Sequence, residues 1–283
     1  MWLPTDFELH RPETVDEAVG LRAELGEAAT LYAGGTELLL AMKLGVLEYE
    51  HLIDVKRIGA LRGIERRDGE LWIGAAVTHR ELEVDPEVLR ALPALAALER
   101  NVANVRVRAS GTLAGNLAFA EPHADPPALL IALGARVALA GSGGRRELPL
   151  EDFIAGAYET ELGEDELIEA VIVPLTDVRA VYRKFQVLER PAVGVAAAGR
   201  VVGGRFVEAP AVVVGAVDEH PIRVPADELA GAACDDADAL DALAASAREA
   251  VDPVDDLSGS AEYKRHLTGV LARRAVMALG GDG

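Results

Sequence analysis

The 283-residue sequence predicts an α+β protein in three parts, two small α/β subdomains followed by a C-terminal α+β domain with an antiparallel sheet and helices. Three observations carry this reading. Residues 30–55 run strand, glycine turn, helix, strand, the pattern of a parallel strand–helix–strand unit. A second loop of small residues, Ser110-Gly111-Thr112-Leu113-Ala114-Gly115-Asn116, is placed where another short strand is expected to turn. Beyond about Thr176, short strands joined by tight turns lead into two helices. The expected divisions are 1–56, 57–175 and 176–283.

In order along the chain, Thr14 is placed to cap a helix, with Glu17 reaching back in a capping box. Val15, Ala18, Leu21 and Leu25 supply its apolar stripe, and Gly26 ends it. Residues 30–33 form a strand, 38–44 a helix closed by Gly45, and 51–55 the next strand. An Asp68-Gly69 turn precedes a strand over 70–75. Thr78-His79-Arg80-Glu81 opens a helix with a second capping box, and Pro86 and Pro93 each suit a first helical position. Residues 100–110 read as a polar connection. Asp125-Pro126-Pro127 fits an N-cap and first turn for a helix over 128–133. Residues 136–140 and 145–150 form a hairpin about Gly141-Ser142-Gly143-Gly144, and 167–173 is a strand ended by Pro174. Strands are then expected at 181–188, 193–202, 205–208 and 211–217, and helices at 236–251 and 260–279. The last of these has Leu267, Val270, Leu271 and Met277 on its apolar side.

Composition narrows the function. A net charge of −19 argues against nucleic acid and anionic membrane surfaces, both of which need Lys and Arg. No apolar run approaches the roughly 18 residues of a membrane span. The opening Met1-Trp2-Leu3-Pro4-Thr5-Asp6 lacks the regions of a signal peptide, so a cytoplasmic protein is expected. With Cys234 as the single cysteine, neither an intrachain disulfide nor a four-thiolate iron–sulfur cluster can form. The six histidines show no HxxxH or HxH spacing, and no metal site is expected.

The glycine loops are the main candidate site. Leu31-Tyr32-Ala33-Gly34-Gly35-Thr36-Glu37-Leu38 puts backbone without Cβ atoms before a helix N-terminus, where free N–H groups and partial positive charge favour an anion. It is neither G-x-G-x-x-G nor a Walker A loop, and each loop alone is also an ordinary turn. Two together look like a pyrophosphate cradle. Glu37 would repel a phosphate and is expected to face away or to accept a hydroxyl hydrogen bond. Asp125 is a good N-cap, a role favoured over ligand contact. Lys184 shares a strand face with Tyr182 and Gln186, most simply a solvated face. No nucleophile elbow, Cys/His pair or glycosidase carboxylate pair is present, which moves weight to a bound cofactor.

These motifs in this order resemble the FAD-binding medium subunit of molybdenum hydroxylases, the carbon monoxide dehydrogenase and xanthine dehydrogenase family. The resemblance covers nearly the whole length. It runs from Tyr32-Ala33-Gly34-Gly35-Thr36-Glu37-Leu38 through Leu71-Trp72-Ile73-Gly74-Ala75 with Thr78-His79, then Thr112-Leu113-Ala114-Gly115-Asn116 and Asp125. It continues with Asp165-Glu166-Leu167-Ile168 before Pro174, Tyr182-x-Lys184, and Gly259-Ser260-Ala261-Glu262-Tyr263. It implies a two-subdomain, PCMH-type FAD-binding fold with an α+β domain behind it, and FAD held between the subdomains.

By the same resemblance, Leu31 to Leu38 and Thr112, Leu113, Ala114, Gly115 and Asn116 hold the pyrophosphate. Asp125 contacts the cofactor, Val102 and Ile168 match apolar residues near the flavin, and Lys184 matches a lysine at the isoalloxazine end. The family loop usually reads Thr-Ile/Val-Gly-Gly-Asn. Ala114 replaces its first glycine, and its methyl group is expected to crowd the phosphate or block a positive φ, weakening FAD contact. The implied function is electron transfer: from a molybdopterin-binding large subunit, through a small subunit with 2Fe-2S clusters, to this FAD and an external acceptor, in a dimer of heterotrimers. A self-contained FAD reductase of the same fold and a FAD-free assembly subunit are the alternatives.

Overall fold

The computed structural model describes residues 6–187 and 189–281, so Met1–Thr5 of the expected leaderless start and Leu188, the expected end of a strand, lie outside it. The first part contains β1 (Glu8–His10), α1 (Val15–Leu25), β2 (Ala29–Tyr32), α2 (Leu38–Lys43) and β3 (His51–Asp54), with a parallel sheet in the order β1-β3-β2. β2-α2-β3 is the expected strand–helix–strand unit. β1 was not expected; three residues are too short for alternation to show. Thr14 caps α1 by accepting from the Glu17 N–H, but the Glu17 carboxylate takes the Glu13 N–H rather than that of Thr14, so the first box is half-formed. In α1 the buried positions are Val15, Ala18 and Val19, while Leu21 and Leu25 pack only partly against the core.

The second part holds a five-stranded sheet of β4 (Ile64–Arg67), β5 (Glu70–Gly74), β6 (Arg136–Gly141), β7 (Gly144–Pro149) and β10 (Leu167–Pro174), antiparallel in the order β4-β5-β10-β6-β7. Between β5 and β6 lie short helices: α3 (His79–Val84), α4 (Pro86–Ala91), α5 (Pro93–Glu99), α6 (Val105–Ser110), α7 (Leu113–Phe119) and α8 (Pro126–Ala132). The Thr78–Glu81 capping box is complete, and Pro86 and Pro93 open α4 and α5. The polar stretch 100–110 is not all connection: Asn104 accepts from the Arg106 and Val107 N–H groups and so starts α6. The small elements α9 (Leu150–Phe153), β8 (Ile154–Gly156) and β9 (Glu159–Thr160) precede β10.

The third part has an antiparallel sheet of β11 (Arg179–Gln186), β12 (Pro191–Gly199), β15 (Ala211–Gly215) and β16 (Ile222–Val224), plus the β13 (Val201–Val202)–β14 (Arg205–Phe206) ribbon. It ends with α10 (Ala237–Glu249) and α11 (Ala261–Gly280), capped by Asp236 and Ser260. On α11 the buried stripe is Thr268, Leu271, Ala272, Ala275, Val276 and Leu279. Met277, expected inside, is exposed because the helix turns that side outward.

Strand parity explains how this sheet serves the rest. Val193, Val195 and Ala197 of β12 face the core shared with α10 and α11, whereas Ala196 and Ala198 join the core of the first two parts. On β11, Val181 and Phe185 face the first side and Tyr182 the second. Lys184, two residues on, shares the Tyr182 side and is carried to the start of α8.

Candidate cofactor site

The two glycine loops meet. A Cβ on Gly34 would overlap the Ser110 carbonyl oxygen and lie 2.6 Å from the Gly111 Cα. One on Gly111 would be 3.1 Å from the Val107 oxygen, 3.2 Å from His79 Cδ2 and 3.3 Å from Thr36 Oγ1. Gly115 in turn faces Ala33. Glycine is therefore required at the junction by close backbone approach, and at Gly35 also by φ = +69°.

Each loop is braced from behind. Lys56 Nζ donates to the Ala33 carbonyl at 3.1 Å, pairs with the buried Asp54 at 2.9 Å, and lies 3.3 Å from the Tyr32 ring centroid. Tyr32 fills the space a Gly35 side chain would need. Lys56 went unnoticed in the sequence, although it is one of four lysines and follows the strand paired with β2. Glu37 is paired with a cation: Arg190 reaches it at 3.0 Å and Glu121 at 2.8 Å.

The second loop differs from the strand turn expected. α6 enters it, Thr112 caps α7 by accepting from the Gly115 N–H at 3.0 Å, and Leu113, Ala114, Gly115 and Asn116 are the first turn of that helix. Ala114 thus needs no positive φ, and its methyl group packs into the core. The expectation that it strains the loop is overturned. Ala114→Gly is predicted to leave FAD affinity unchanged and to lower stability by about 1 kcal/mol, the helix-propensity difference, measurable by flavin titration and thermal melting.

Asp125 stands at the N-cap position of α8 but makes no side-chain cap: its own backbone is helical rather than extended, and Pro127 at N2 has no N–H to donate. Its carboxylate is free for other partners and is 5 % exposed. Oδ1 accepts from the Tyr182 hydroxyl at 2.8 Å and Oδ2 from Lys184 Nζ at 2.9 Å, while Lys184 also donates to the Asn101 carbonyl at 2.9 Å. The solvated face read for Tyr182 and Lys184 is instead an internal cluster; only Gln186 points to solvent. Burial pushes the Asp125 carboxyl up, against the pull of Lys184 and Tyr182. The Tyr182 phenol is held well above its usual range by burial and by Asp125.

Val102 is buried next to Asn101, its carbonyl taking an Arg108 hydrogen bond at 3.0 Å, so it lies beside this cluster. Ile168 is buried in the five-stranded sheet with Leu139 as its register partner, rather than hydrogen-bonded to either loop.

Two further buried groups stand behind the second loop. His79 Nδ1 is 2.6 Å from Glu99 Oε2, and the His79 backbone N–H donates to the Gly111 carbonyl at 3.0 Å. Glu99 is wholly buried and its Oε1 has no hydrogen-bond partner. A glutamate after the apolar run Leu95-Ala96-Ala97-Leu98 was the one sequence sign of it.

The profile of the FAD-binding domain in molybdopterin dehydrogenase matches residues 5–176, and that of the CO dehydrogenase flavoprotein C-terminal domain matches 181–279. The chain belongs to this flavoprotein family. It is similar to the carbon monoxide dehydrogenase medium chain of Hydrogenophaga pseudoflava, 36% identical over 282 residues and 98% of each chain. It is also 29% identical to the xanthine dehydrogenase FAD-binding subunit of Escherichia coli O157:H7, over 96% of this chain and 97% of that one. The fold matches a chain of the solved carbon monoxide dehydrogenase from H. pseudoflava which lacks the Mo-pyranopterin moiety of the molybdenum cofactor, with a TM-score of 0.94, 36% identity, and 99% and 98% coverage.

FAD is the cofactor of this medium-subunit flavoprotein, and the residues present fit it. The Gly34–Gly111 junction leaves backbone bare on both loops, and Asn116 Oδ1 is a buried acceptor without a donor at the start of α7. A hydroxyl-rich, doubly phosphorylated ligand supplies such donors and can use such N–H groups.

Proposed function

We propose that this chain is the electron-transfer subunit of a molybdenum hydroxylase, receiving electrons from the 2Fe-2S clusters of a small subunit and passing them to an external acceptor. Substrate oxidation takes place at the molybdopterin of a large subunit, in a dimer of heterotrimers located in the cytoplasm. The observation that carries this reading is the meeting of two glycine loops over an unpartnered Asn116 in a chain of the FAD-binding family. Bound FAD supplies exchange between one-electron and two-electron steps.

The chain's own residues hold it. Leu31 to Leu38 and Thr112 to Asn116 bind the pyrophosphate, and Lys56 keeps the first loop in place. Asp125 and Lys184, oriented by Tyr182 and the Asn101 carbonyl, serve the isoalloxazine end, with Val102 and Ile168 as apolar neighbours. A lysine cation near that end favours negative charge on the ring by direct attraction. The single Cys234 is buried, so the chain has no thiolate set for a cluster and depends on a partner for one. Among the described residues no helix is long and apolar enough to cross a membrane. Divisions at 1–56, 57–175 and 176–283 are supported by the three larger sheets, one in each part.

The test is affinity capture of the tagged chain from its native host, followed by metal and flavin analysis. Molybdenum, iron and FAD in constant proportion, with flavin bleaching when the substrate of the large subunit is added, is the expected result. Capture of the flavin-loaded chain alone contradicts the subunit reading.

A further inference from the structure

Behind the loop junction lies a buried histidine–glutamate pair that cofactor contact alone does not explain. Glu99 sits on α5 among Leu95, Ala96 and Leu98, where packing would be served by an apolar residue. A carboxylate there, 0 % exposed and with Oε1 unpartnered, is costly unless its charge is used. Its one side-chain partner is His79, itself 3 % exposed. His79 is fixed at the junction twice: its N–H holds the Gly111 carbonyl, and its ring edge packs where a Gly111 side chain would be. Gly111 is the residue on which Gly34 and Thr36 of the first loop close.

We propose that the His79–Glu99 pair is a positioning device for the cradle, fixing the second glycine loop against the first and placing a cation behind the junction where an anionic group binds. This rests on the FAD reading, in which that group is the pyrophosphate.

The charged groups facing His79 are Glu99 from α5, Arg108 from α6 and Asp125 before α8, with Lys184 of β11 behind Asp125. Glu83, on α3 itself, is engaged by Arg80 and Arg108. On α4, Glu87 is taken by Arg90 and Arg66. Burial pushes His79 down, but Glu99 and then Asp125 outweigh burial and Arg108, and the net direction is up from 6.5. His79 therefore holds its proton more tightly than a free imidazole, and the imidazolium is lost as the pH rises through the raised value. The pair's contribution to stability has the same sign: fully present below about pH 6.5 and lost above the raised value.

FAD titration of the full chain, followed by flavin fluorescence between about pH 6 and about pH 9, tests this. Wild type is expected to lose about tenfold in affinity across the range, one unit in log Kd. In Glu99→Gln the fall moves to lower pH, because the carboxylate that sustains the imidazolium is gone. The double variant His79→Gln/Glu99→Gln replaces the pair with neutral amides, so that no lone charge is left buried; it is expected to melt near wild type and bind FAD weakly at every pH. A pH-independent wild type, or a double variant with the wild-type profile, overturns the inference while leaving the FAD reading intact. No binding by any of the three at any pH overturns both.

Discussion

Gly34→Ala is expected to yield a chain that loses its flavin on purification and is less stable by about 1–3 kcal/mol, the usual cost of overpacking. The new methyl group would overlap the Ser110 carbonyl oxygen and come 2.6 Å from the Gly111 Cα, and backbone on the facing loop cannot swing aside as a side chain could. The loops must separate, and with them the residues proposed to hold the pyrophosphate. Gly20→Ala is the matched control. A side chain there meets nothing within 4 Å, and the helix gains about 0.5–1 kcal/mol. Flavin absorbance and thermal melting of the two variants separate the effect of the junction from that of glycine loss in general.

Lys184→Met is expected to cost about 3–5 kcal/mol at neutral pH, because it strands a buried carboxylate. Asp125 is 5 % exposed, and Lys184 contributes the attraction that opposes burial. The deficit should narrow as the pH is lowered into the acid range, where Asp125 takes a proton and the missing ammonium no longer matters. Asp125→Asn/Lys184→Met should recover most of the stability but not the FAD affinity. Thermal melts of the wild type and the two variants across pH, with flavin titrations, give the comparison. A single variant as stable as wild type would show that the pair is structurally idle.

Much of this was legible in the sequence because it is local. The strand–turn–helix–strand at 29–54, the Thr78 box, the proline starts of α4 and α5, and the hairpin about Gly141–Gly144 each rest on residues close in sequence. The resemblance to the family, carried by short motifs in order, agrees with the matched profiles over residues 5–176 and 181–279.

What escaped is what depends on distant partners. Asp125 has the residue type and place of an N-cap, yet Tyr182 and Lys184, almost 60 residues on, claim both of its carboxylate oxygens. Ala114 looked like a strained substitution only while its loop was read as a strand turn; as the second residue of a helix it is an ordinary alanine. Glu99 and His79 are 20 residues apart, and neither carries a sign of the other until α3 and α5 pack together.

The central claim, that the two glycine loops form one FAD site, is tested most directly by titrating FAD into the purified chain and into Gly34→Ala and following flavin fluorescence to saturation. The account predicts one FAD per chain for the wild type and at least tenfold weaker binding for the variant. Equal affinity of the two chains, or no binding by the wild type, would contradict it.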